Sequence, residues 1–332
     1  MLDSRAVTVV GAGVAGTWQA LLFAKAGFDV TVVERGDASL AGAAAYWAGG
    51  MLAPGCEAET AEPIVTRLGR RSLELWHAHG ADLTANGSLV VAHPRDRADY
   101  ERFARLTNGY ERVDGQRLGA LEPALAGRFR EGLFFPDEAH VEPRHVLPAL
   151  HRQLEAAGAT IRFNEAVEPR RLDGTVIDCR GLAARDVFPD LRGVRGEIVV
   201  IETTEVALSR PVRLIHPRWP LYIVPRPEGR FLIGATTIES EDAGGVTVRS
   251  ALELLTAAYA VHPAFGEARI VELGAGLRPA FPDHAPRIRI DGRHIAVNGL
   301  YRHGFLLAPA LAELTVGYLR DGTRNNEVMR WS

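Results

Sequence analysis

The first 36 residues show two short apolar runs separated by a helical pattern. A β-branched run at 6–10 leads into a glycine-rich turn at 11–16, and an amphipathic stretch continues from there to residue 26. A second β-branched run at 29–33 follows. Strand, turn, helix and strand in this order predict a compact βαβ unit whose strands are parallel and buried.

Farther along the chain, helical patterns and strand-like apolar runs both recur. The pattern predicts helices over 70–81, 95–106, 145–157, 248–261 and 308–319, the last with Pro309 near its first turn. It predicts strands over 87–92, 131–136, 160–163, 175–178, 197–202 and 294–298, and antiparallel hairpins between 213 and 237 that turn at 225–230. Strand-rich segments interrupt the α/β segments, so we expect an α/β fold with a Rossmann-like lobe and a discontinuous second lobe built on a mixed or antiparallel sheet. The expected lobes are 1–85, 140–195 and 276–332 for the first, and 86–139 and 196–275 for the second.

Composition narrows the class of protein. The chain has 332 residues, of which 47% are hydrophobic and 24% charged, as in ordinary globular proteins. A net charge of −3 argues against a general nucleic-acid binder. There is no apolar run of the roughly 20 residues that span a bilayer, and no signal-peptide pattern, so we expect a cytoplasmic protein without a membrane span.

The cysteines and two closely spaced histidines could in principle bind a metal or form a disulfide, but they lack suitably spaced partners in the sequence. Cys56 and Cys179 have no CxxC or Cys/His spacing, which predicts neither a disulfide framework nor a zinc site. His77 and His79 lie two residues apart on a predicted helix and do not share a face. We therefore expect no metal site.

The glycine loop carries the first candidate chemistry. Gly11 permits a tight turn, Gly13 lets the backbone approach a pyrophosphate, and Gly16 lets helix and strand pack closely. Glu34 ends the second strand, where it can accept hydrogen bonds from a ribose diol. The pattern predicts dinucleotide binding, but it does not distinguish FAD from NAD.

Two further segments contain candidate substrate-binding residues. Arg278 lies two residues after Gly276 and directly before Pro279, and its guanidinium could bind a carboxylate in bidentate fashion, although a surface arginine is the alternative. Tyr222 lies in an otherwise apolar strand and could serve the same carboxylate or simply belong to the core. The segment 298–309 joins a strand to a helix, whose N-terminus could stabilise negative charge.

These motifs together resemble one known family. The residues that carry the resemblance are 11–16, 34–36, 47–54, 222–236, 276–282 and 299–309. In this order they resemble the D-amino-acid oxidase superfamily of FAD-dependent oxidoreductases, and within it they are most similar to the bacterial glycine oxidases of thiamine biosynthesis. The resemblance covers the chain from end to end. It implies FAD rather than NAD, held in a Rossmann-like lobe of the glutathione-reductase type.

The resemblance also implies which residues contact FAD. The residues implied for the ADP half are Gly11, Gly13, Val14, Ala15, Gly16, Glu34 and Arg35, with Val167 near the adenine and Cys179 and Gly181 near the pyrophosphate. Those implied along the isoalloxazine are Ala48, Gly49, Gly50, Met51, Leu52, Arg278, Arg302, His303, Gly304, Phe305 and Leu306.

Roles toward the substrate are implied in the same way. Arg278 would bind the substrate carboxylate with help from Tyr222, Arg302 would line the pocket, and Met51 would favour a small amino acid. Gly276 lies where covalently flavinylated relatives carry a cysteine, so FAD is expected to bind noncovalently. Thr237 departs from the larger apolar residue expected there, which implies a roomier or more polar pocket.

The activity implied is oxidative deamination of glycine or another small amine to the imine, with oxygen reduced to hydrogen peroxide and iminoglycine supplied for the thiamine thiazole. A D-amino acid dehydrogenase, an N-methyl amino acid (sarcosine-type) oxidase, a tRNA-modifying relative and a redox-silent FAD-binding protein remain alternatives. The expected partners are a small amino acid and oxygen, without nucleic acid. The sequence leaves a homo-oligomer open.

Overall fold

The computed structural model describes residues 5–218 and 220–331. The α-helices in this part of the chain are α1 Val14–Lys25, α2 Pro54–Glu57, α3 Pro63–His79, α4 Arg97–Leu106, α5 Gly115–Leu121, α6 Pro143–Ala156, α7 Val248–Val261 and α8 Gly304–Asp321. The strands are β1 Ala6–Val10, β2 Asp29–Val33, β3 Met51–Leu52, β4 Ser88–Ala92, β5 Glu111–Asp114, β6 Glu131–Phe135, β7 Ala139–His140, β8 Thr160–Arg162, β9 Thr175–Asp178, β10 Arg192–Glu202, β11 Val212–Ile215, β12 Leu221–Arg226, β13 Arg230–Gly234, β14 Arg269–Ala280, β15 Arg287–Asp291, β16 His294–Asn298 and β17 Met329–Trp331.

A seven-stranded sheet has the strand order β17-β15-β16-β9-β1-β2-β8. Its centre is parallel, because β1 pairs in parallel with both β2 and β9, and β16 pairs in parallel with β9. The β-branched runs at 6–10 and 29–33 form its buried middle, and α1 connects them. The predicted βαβ unit is confirmed.

An eight-stranded sheet has the order β14-β10-β13-β12-β11-β4-β6-β5. Its neighbours are antiparallel except for β11 and β4, which are parallel. The hairpins predicted between 213 and 237 are confirmed as β11, β12 and β13. A mixed α/β fold with two large sheets agrees with the predicted fold class.

Several predicted boundaries were wrong. The helix predicted from 70 begins at Pro63, because proline fits the first turn, where no helical hydrogen bond needs its N–H. The strand predicted from 197 begins at Arg192, since its first half pairs with the end of β14. The sequence pattern also missed β14 itself, because its exposed and intermediate residues do not alternate regularly.

The C-terminal helix corrects another prediction, since it begins at Gly304 and places Pro309 in its second turn. Proline has no N–H to donate to the carbonyl four residues earlier, which belongs to Phe305. The buried indole of Trp76 donates to that carbonyl instead, with an Nε1 to oxygen distance of 2.9 Å. A side chain from α3 thus satisfies the backbone group that the proline leaves unpaired.

The main core lies around α1, between the seven-stranded sheet and helices α3, α6 and α8. Trp18 and Trp76 pack edge to face at its centre, with ring centroids 4.7 Å apart. A second core fills the space between the eight-stranded sheet and α7. In the described residues, no helix is long and apolar enough to cross a membrane.

The division into lobes stays a prediction, which the sheets help to refine. The boundaries predicted at 195/196 and 275/276 fall inside β10 and β14, two paired strands of the eight-stranded sheet. We propose boundaries at 191/192 and 280/281 instead, so that each of these strands belongs wholly to the second lobe.

Candidate active site

A cavity of about 790 Å³ extends from the glycine loop of the seven-stranded sheet to residues of β10, β12 and β14 in the eight-stranded sheet. Its volume lies within the range of roughly 300 to 1,000 Å³ that is common for ligand and cofactor sites. The cavity therefore has room for a large ligand that contacts both sheets.

The glycine loop forms one end of this cavity. Gly11 has a φ of +104°, and a Cβ there would lie 2.6 Å from the carbonyl oxygen of Cys179. A Cβ on Gly16 would lie 1.8 Å from the carbonyl oxygen of Gly11, so both positions require glycine for close packing. A Cβ on Gly13 would meet no atom within 4 Å, and this residue lines the cavity. The open side of the loop therefore leaves space for a pyrophosphate.

Two features beside the loop complete the fit to a dinucleotide. Helix α1 begins after Gly13 without a side-chain cap, so the N–H groups of its first turn remain available to an anion. Glu34 accepts hydrogen bonds from the N–H groups of Ala12 and Gly36, each at 2.8 Å. These bonds fix the carboxylate at the cavity edge, where its remaining lone pairs can accept from a ribose.

At the other end of the cavity, Arg278 lies against β10. Its Nη1 donates to the carbonyl oxygens of Thr236 at 3.0 Å and Arg195 at 3.4 Å. A Cβ on Gly196 would lie 2.1 Å from Nη2 of Arg278, so the guanidinium occupies the space that a side chain at 196 would fill. Burial lowers the pKa of Arg278. Among the described residues, no carboxylate forms an ion pair with it.

Tyr222 projects from β12 toward the same region. Cβ atoms on Gly49 or Gly234 would lie 2.9 Å from its ring, so two glycines make room for it. Burial raises the pKa of Tyr222, which keeps its hydroxyl protonated. A neutral hydroxyl in the same cavity as the Arg278 guanidinium can donate a hydrogen bond to a carboxylate.

A charged cluster formed by Glu57, Arg213 and Arg302 lines the cavity wall. Nη2 of Arg213 donates to Oε1 of Glu57 at 2.6 Å, and Nε of Arg302 donates to Oε2 at 3.1 Å. Burial alone would raise the pKa of Glu57, but the two guanidinium groups outweigh that effect and hold its pKa well below the usual range. Glu57 is therefore a carboxylate at neutral pH.

His303 adjoins this cluster at the start of α8. Its Nδ1 lies 3.6 Å from Oε2 of Glu57, and the side chain is buried. Burial lowers the pKa of His303 to about 4, although Glu57 opposes the shift. The imidazole is therefore neutral at pH 7 and adds no charge to the cavity.

The cavity brings together most of the residues implied by the resemblance. Those that line it are Gly11, Gly13, Val14, Ala15, Glu34, Arg35, Ala48, Gly49, Gly50, Met51, Val167, Cys179, Gly181, Tyr222, Arg278, Arg302, His303, Gly304, Phe305 and Leu306. Gly276 and Thr237 line it as well. Gly16 and Leu52 do not: Gly16 packs against the loop backbone, and Leu52 is fully buried in the core.

Sequence reasoning missed the cluster of Glu57 and Arg213. Arg213 is the single charged residue of β11, and a charge between buried apolar neighbours was the available signal. Glu57 lies on the short helix α2, among small and acidic neighbours that gave no such signal. In the described residues, no group of three or more histidine, cysteine, aspartate or glutamate side chains could hold a metal.

A parallel sheet whose glycine loop and acidic strand end open into a large cleft defines a dinucleotide-binding protein. Residues 6–317 match the family model described as FAD dependent oxidoreductase (DAO). The chain belongs to this FAD-dependent oxidoreductase family, so its dinucleotide is FAD and the expectation of FAD over NAD is confirmed.

Relatives and solved structures agree with this assignment. The chain is 53% identical over 307 residues to a putative thiamine biosynthesis oxidoreductase ThiO from Rhizobium etli, with 92% of this chain and 94% of the relative covered. A glycine oxidase from Bacillus cereus has a TM-score of 0.80 at 22% identity, covering 97% of both chains. An iminodiacetate oxidase from a Chelativorans species has a TM-score of 0.81 at 23% identity, covering 98% of this chain and 99% of the other. At these identities, the two structures support the fold alone.

Proposed function

We propose that this enzyme oxidises glycine, or another small amino acid, to its imine and reduces oxygen to hydrogen peroxide. We further propose that the imine, iminoglycine, is consumed in building the thiazole of thiamine. The ThiO relative from Rhizobium etli supports the second part, since it is 53% identical and is covered over 94% of its length.

The half-buried guanidinium of Arg278 in the cavity wall is the observation that carries the substrate class. In the described residues its hydrogen bonds go only to backbone carbonyls, from Nη1. A cation that is partly removed from water and has no counterion is costly, and a bound carboxylate would supply that counterion through charge-assisted hydrogen bonds. An amino acid provides this carboxylate next to an oxidisable Cα–N bond.

The side chains of the cavity would then have distinct tasks. Arg278 binds the carboxylate, Tyr222 donates its hydroxyl to the same group, and Met51 limits the space beside Cα. Holding the substrate in this way aligns its Cα–H bond for transfer of the hydrogen as a hydride. This contribution comes from positioning and does not depend on acid or base strength. No residue needs to act as a base if the substrate binds with its amine neutral.

Bound FAD supplies the redox chemistry by accepting two electrons from the substrate and passing them to oxygen. In this reaction the CαH–NH unit loses two electrons and two protons, with one hydrogen leaving Cα and one leaving nitrogen, and a C=N bond forms. Oxygen takes up the two electrons and two protons and becomes hydrogen peroxide. The first turn of α8 lines the cavity at Gly304 to Leu306. The partial positive charge of that helix end favours negative charge on the neighbouring part of the site.

The test is anaerobic addition of glycine to the purified holoenzyme, with sarcosine and D-alanine in parallel, followed by visible absorption. We expect glycine to bleach the flavin band at about 450 nm, and admitted oxygen to restore it with one hydrogen peroxide per cycle. Faster bleaching by sarcosine or D-alanine would assign the enzyme to another substrate. Bleaching that oxygen fails to reverse would indicate a dehydrogenase, and no bleaching by any amine would overturn the proposal.

A further inference from the structure

Besides Arg35 and Arg180 near the glycine loop, three arginines line the cavity, and they differ in whether they pair with Glu57. Arg213 and Arg302 both donate to the Glu57 carboxylate, at 2.6 and 3.1 Å, whereas Arg278 has no acidic partner in the described residues. Arg302 also donates to the hydroxyl of Thr60 at 2.5 Å. Two of the three guanidinium groups are therefore already paired with a carboxylate, whereas Arg278 donates only to backbone carbonyls in the described residues.

Glu57 is close enough to the substrate-binding groups to influence what they bind. Its charge acts on both Arg278 and Tyr222, and it lines the same cavity as they do. The carboxylate is buried in the cavity wall, where like charges repel strongly because little water screens them. A ligand with a second carboxylate would have to place that group near Glu57 or displace it from its two arginines.

We propose that Glu57 is a specificity-determining residue that restricts the enzyme to amino acids with one carboxylate, by occupying Arg213 and Arg302 and repelling a second acidic group. This inference rests on the proposed function. The carboxylate that every substrate shares binds Arg278, and Glu57 repels any second negative charge on the substrate.

Neutralising Glu57 should weaken this preference. In Glu57→Gln the amide keeps the size of the side chain but not its charge, so Arg213 and Arg302 lose their counterion. A dicarboxylic amine such as iminodiacetate, which is glycine with a carboxymethyl group on nitrogen, could then bind one carboxylate at Arg278 and the other at Arg302. The reaction itself is unchanged: one CH2–NH unit would lose two electrons and two protons to form the imine, with oxygen as the final acceptor.

The experiment measures kcat/KM for glycine and iminodiacetate with wild-type and Glu57→Gln holoenzymes. We expect the glycine to iminodiacetate ratio to fall about 30-fold or more in the variant, since like-charge contacts across a binding site cost several kcal/mol. Glu57→Asp keeps the charge and is expected to retain the wild-type preference. In Glu57→Gln/Arg302→Met the released cation is gone, so the gain for iminodiacetate is expected to disappear.

Glu59→Gln is the matched control, because Glu59 lines the same cavity but pairs with Arg102, at 2.6 Å. We expect this variant to keep the wild-type ratio. A Glu57→Gln enzyme that retains FAD and loses activity equally toward both substrates would overturn the proposal and leave Glu57 a purely structural residue. Failure of the proposed function is separately visible, because wild-type enzyme would then turn over neither substrate.

Discussion

Gly196 gives the sharpest test of how the carboxylate site is built. It lies in β10, on the cavity side, and a Cβ there would lie 2.1 Å from Nη2 and 2.2 Å from Cζ of Arg278. Carbon contacts in proteins settle near 3.5 Å or more. The substitution Gly196→Ala therefore forces the guanidinium to move by about 1.4 Å, which is the difference between 3.5 and 2.1 Å.

The expected effect falls on catalysis rather than on folding. Arg278 is flexible at its far end, so the strand can accept the methyl group while the guanidinium leaves its position. A misplacement of about 1 Å in a substrate-positioning group costs about 100-fold in rate, equivalent to about 2.7 kcal/mol. We expect kcat/KM for glycine to fall by about that factor in Gly196→Ala, with the midpoint of urea unfolding unchanged.

Gly193→Ala provides the control on the same strand, since a Cβ there would only approach the side chains of Glu241 and Leu182, at 3.4 Å. Steady-state kinetics with glycine, measured as peroxide formation, compares the two variants. In an Arg278→Met background, Gly196→Ala should lower kcat/KM little further, because the guanidinium that the new methyl group displaces is absent. Wild-type kcat/KM in Gly196→Ala would refute the placement of Arg278 described above.

Three further predictions concern the cofactor, the core and pH. Gly13→Ala adds a methyl group on the open side of the loop and should lower FAD retention on desalting without lowering the stability of the apoprotein. In Gly16→Ala the new Cβ would lie 1.8 Å from a backbone oxygen, so this variant should lower both FAD retention and the stability of the apoprotein. Trp76→Phe removes a buried hydrogen bond and should cost about 1 to 3 kcal/mol more in urea unfolding than Trp18→Phe, whose indole N–H has no partner among the described residues. Burial holds the pKa of His303 at about 4, below its value of 6.5 in the unfolded chain, so the unfolded chain takes up the proton first as the pH falls. Unfolding free energy should therefore decrease by roughly 3 kcal/mol between pH 7 and pH 4 through this residue, and His303→Gln should lack that share of the decrease.

The sequence predicted the parts of the fold that repeat a local pattern. The run at 6–10, the glycine turn and α1 follow from β-branched and helical periods, and the structure has them within a residue or two. The start of α8 did not follow, because a proline is typical of a first helical turn and so predicts a helix that begins at 308, whereas α8 begins at Gly304. The indole of Trp76, which is far away in sequence, donates to the carbonyl of Phe305 that this proline leaves unpaired.

Some residues of the candidate site could likewise be predicted from local sequence motifs, and others could not. Arg278 and Tyr222 belong to motifs that the sequence displays, and both line the cavity. Glu57 and Arg213 are 156 positions apart and meet only because α2 and β11 border the same cleft. A contact of this kind depends on tertiary packing, and no spacing along the chain could have predicted it.

We propose that this FAD-dependent enzyme oxidises an amino acid whose carboxylate is bound by Arg278. The most direct test is the rate of anaerobic flavin reduction by glycine in wild-type and Arg278→Met holoenzymes, with methylamine as the substrate that lacks a carboxylate. We predict that glycine reduces the wild-type flavin far faster than methylamine does. We also predict that Arg278→Met loses about 2 to 5 kcal/mol of this advantage while keeping its FAD. Equal rates for glycine in the two enzymes would contradict the claim.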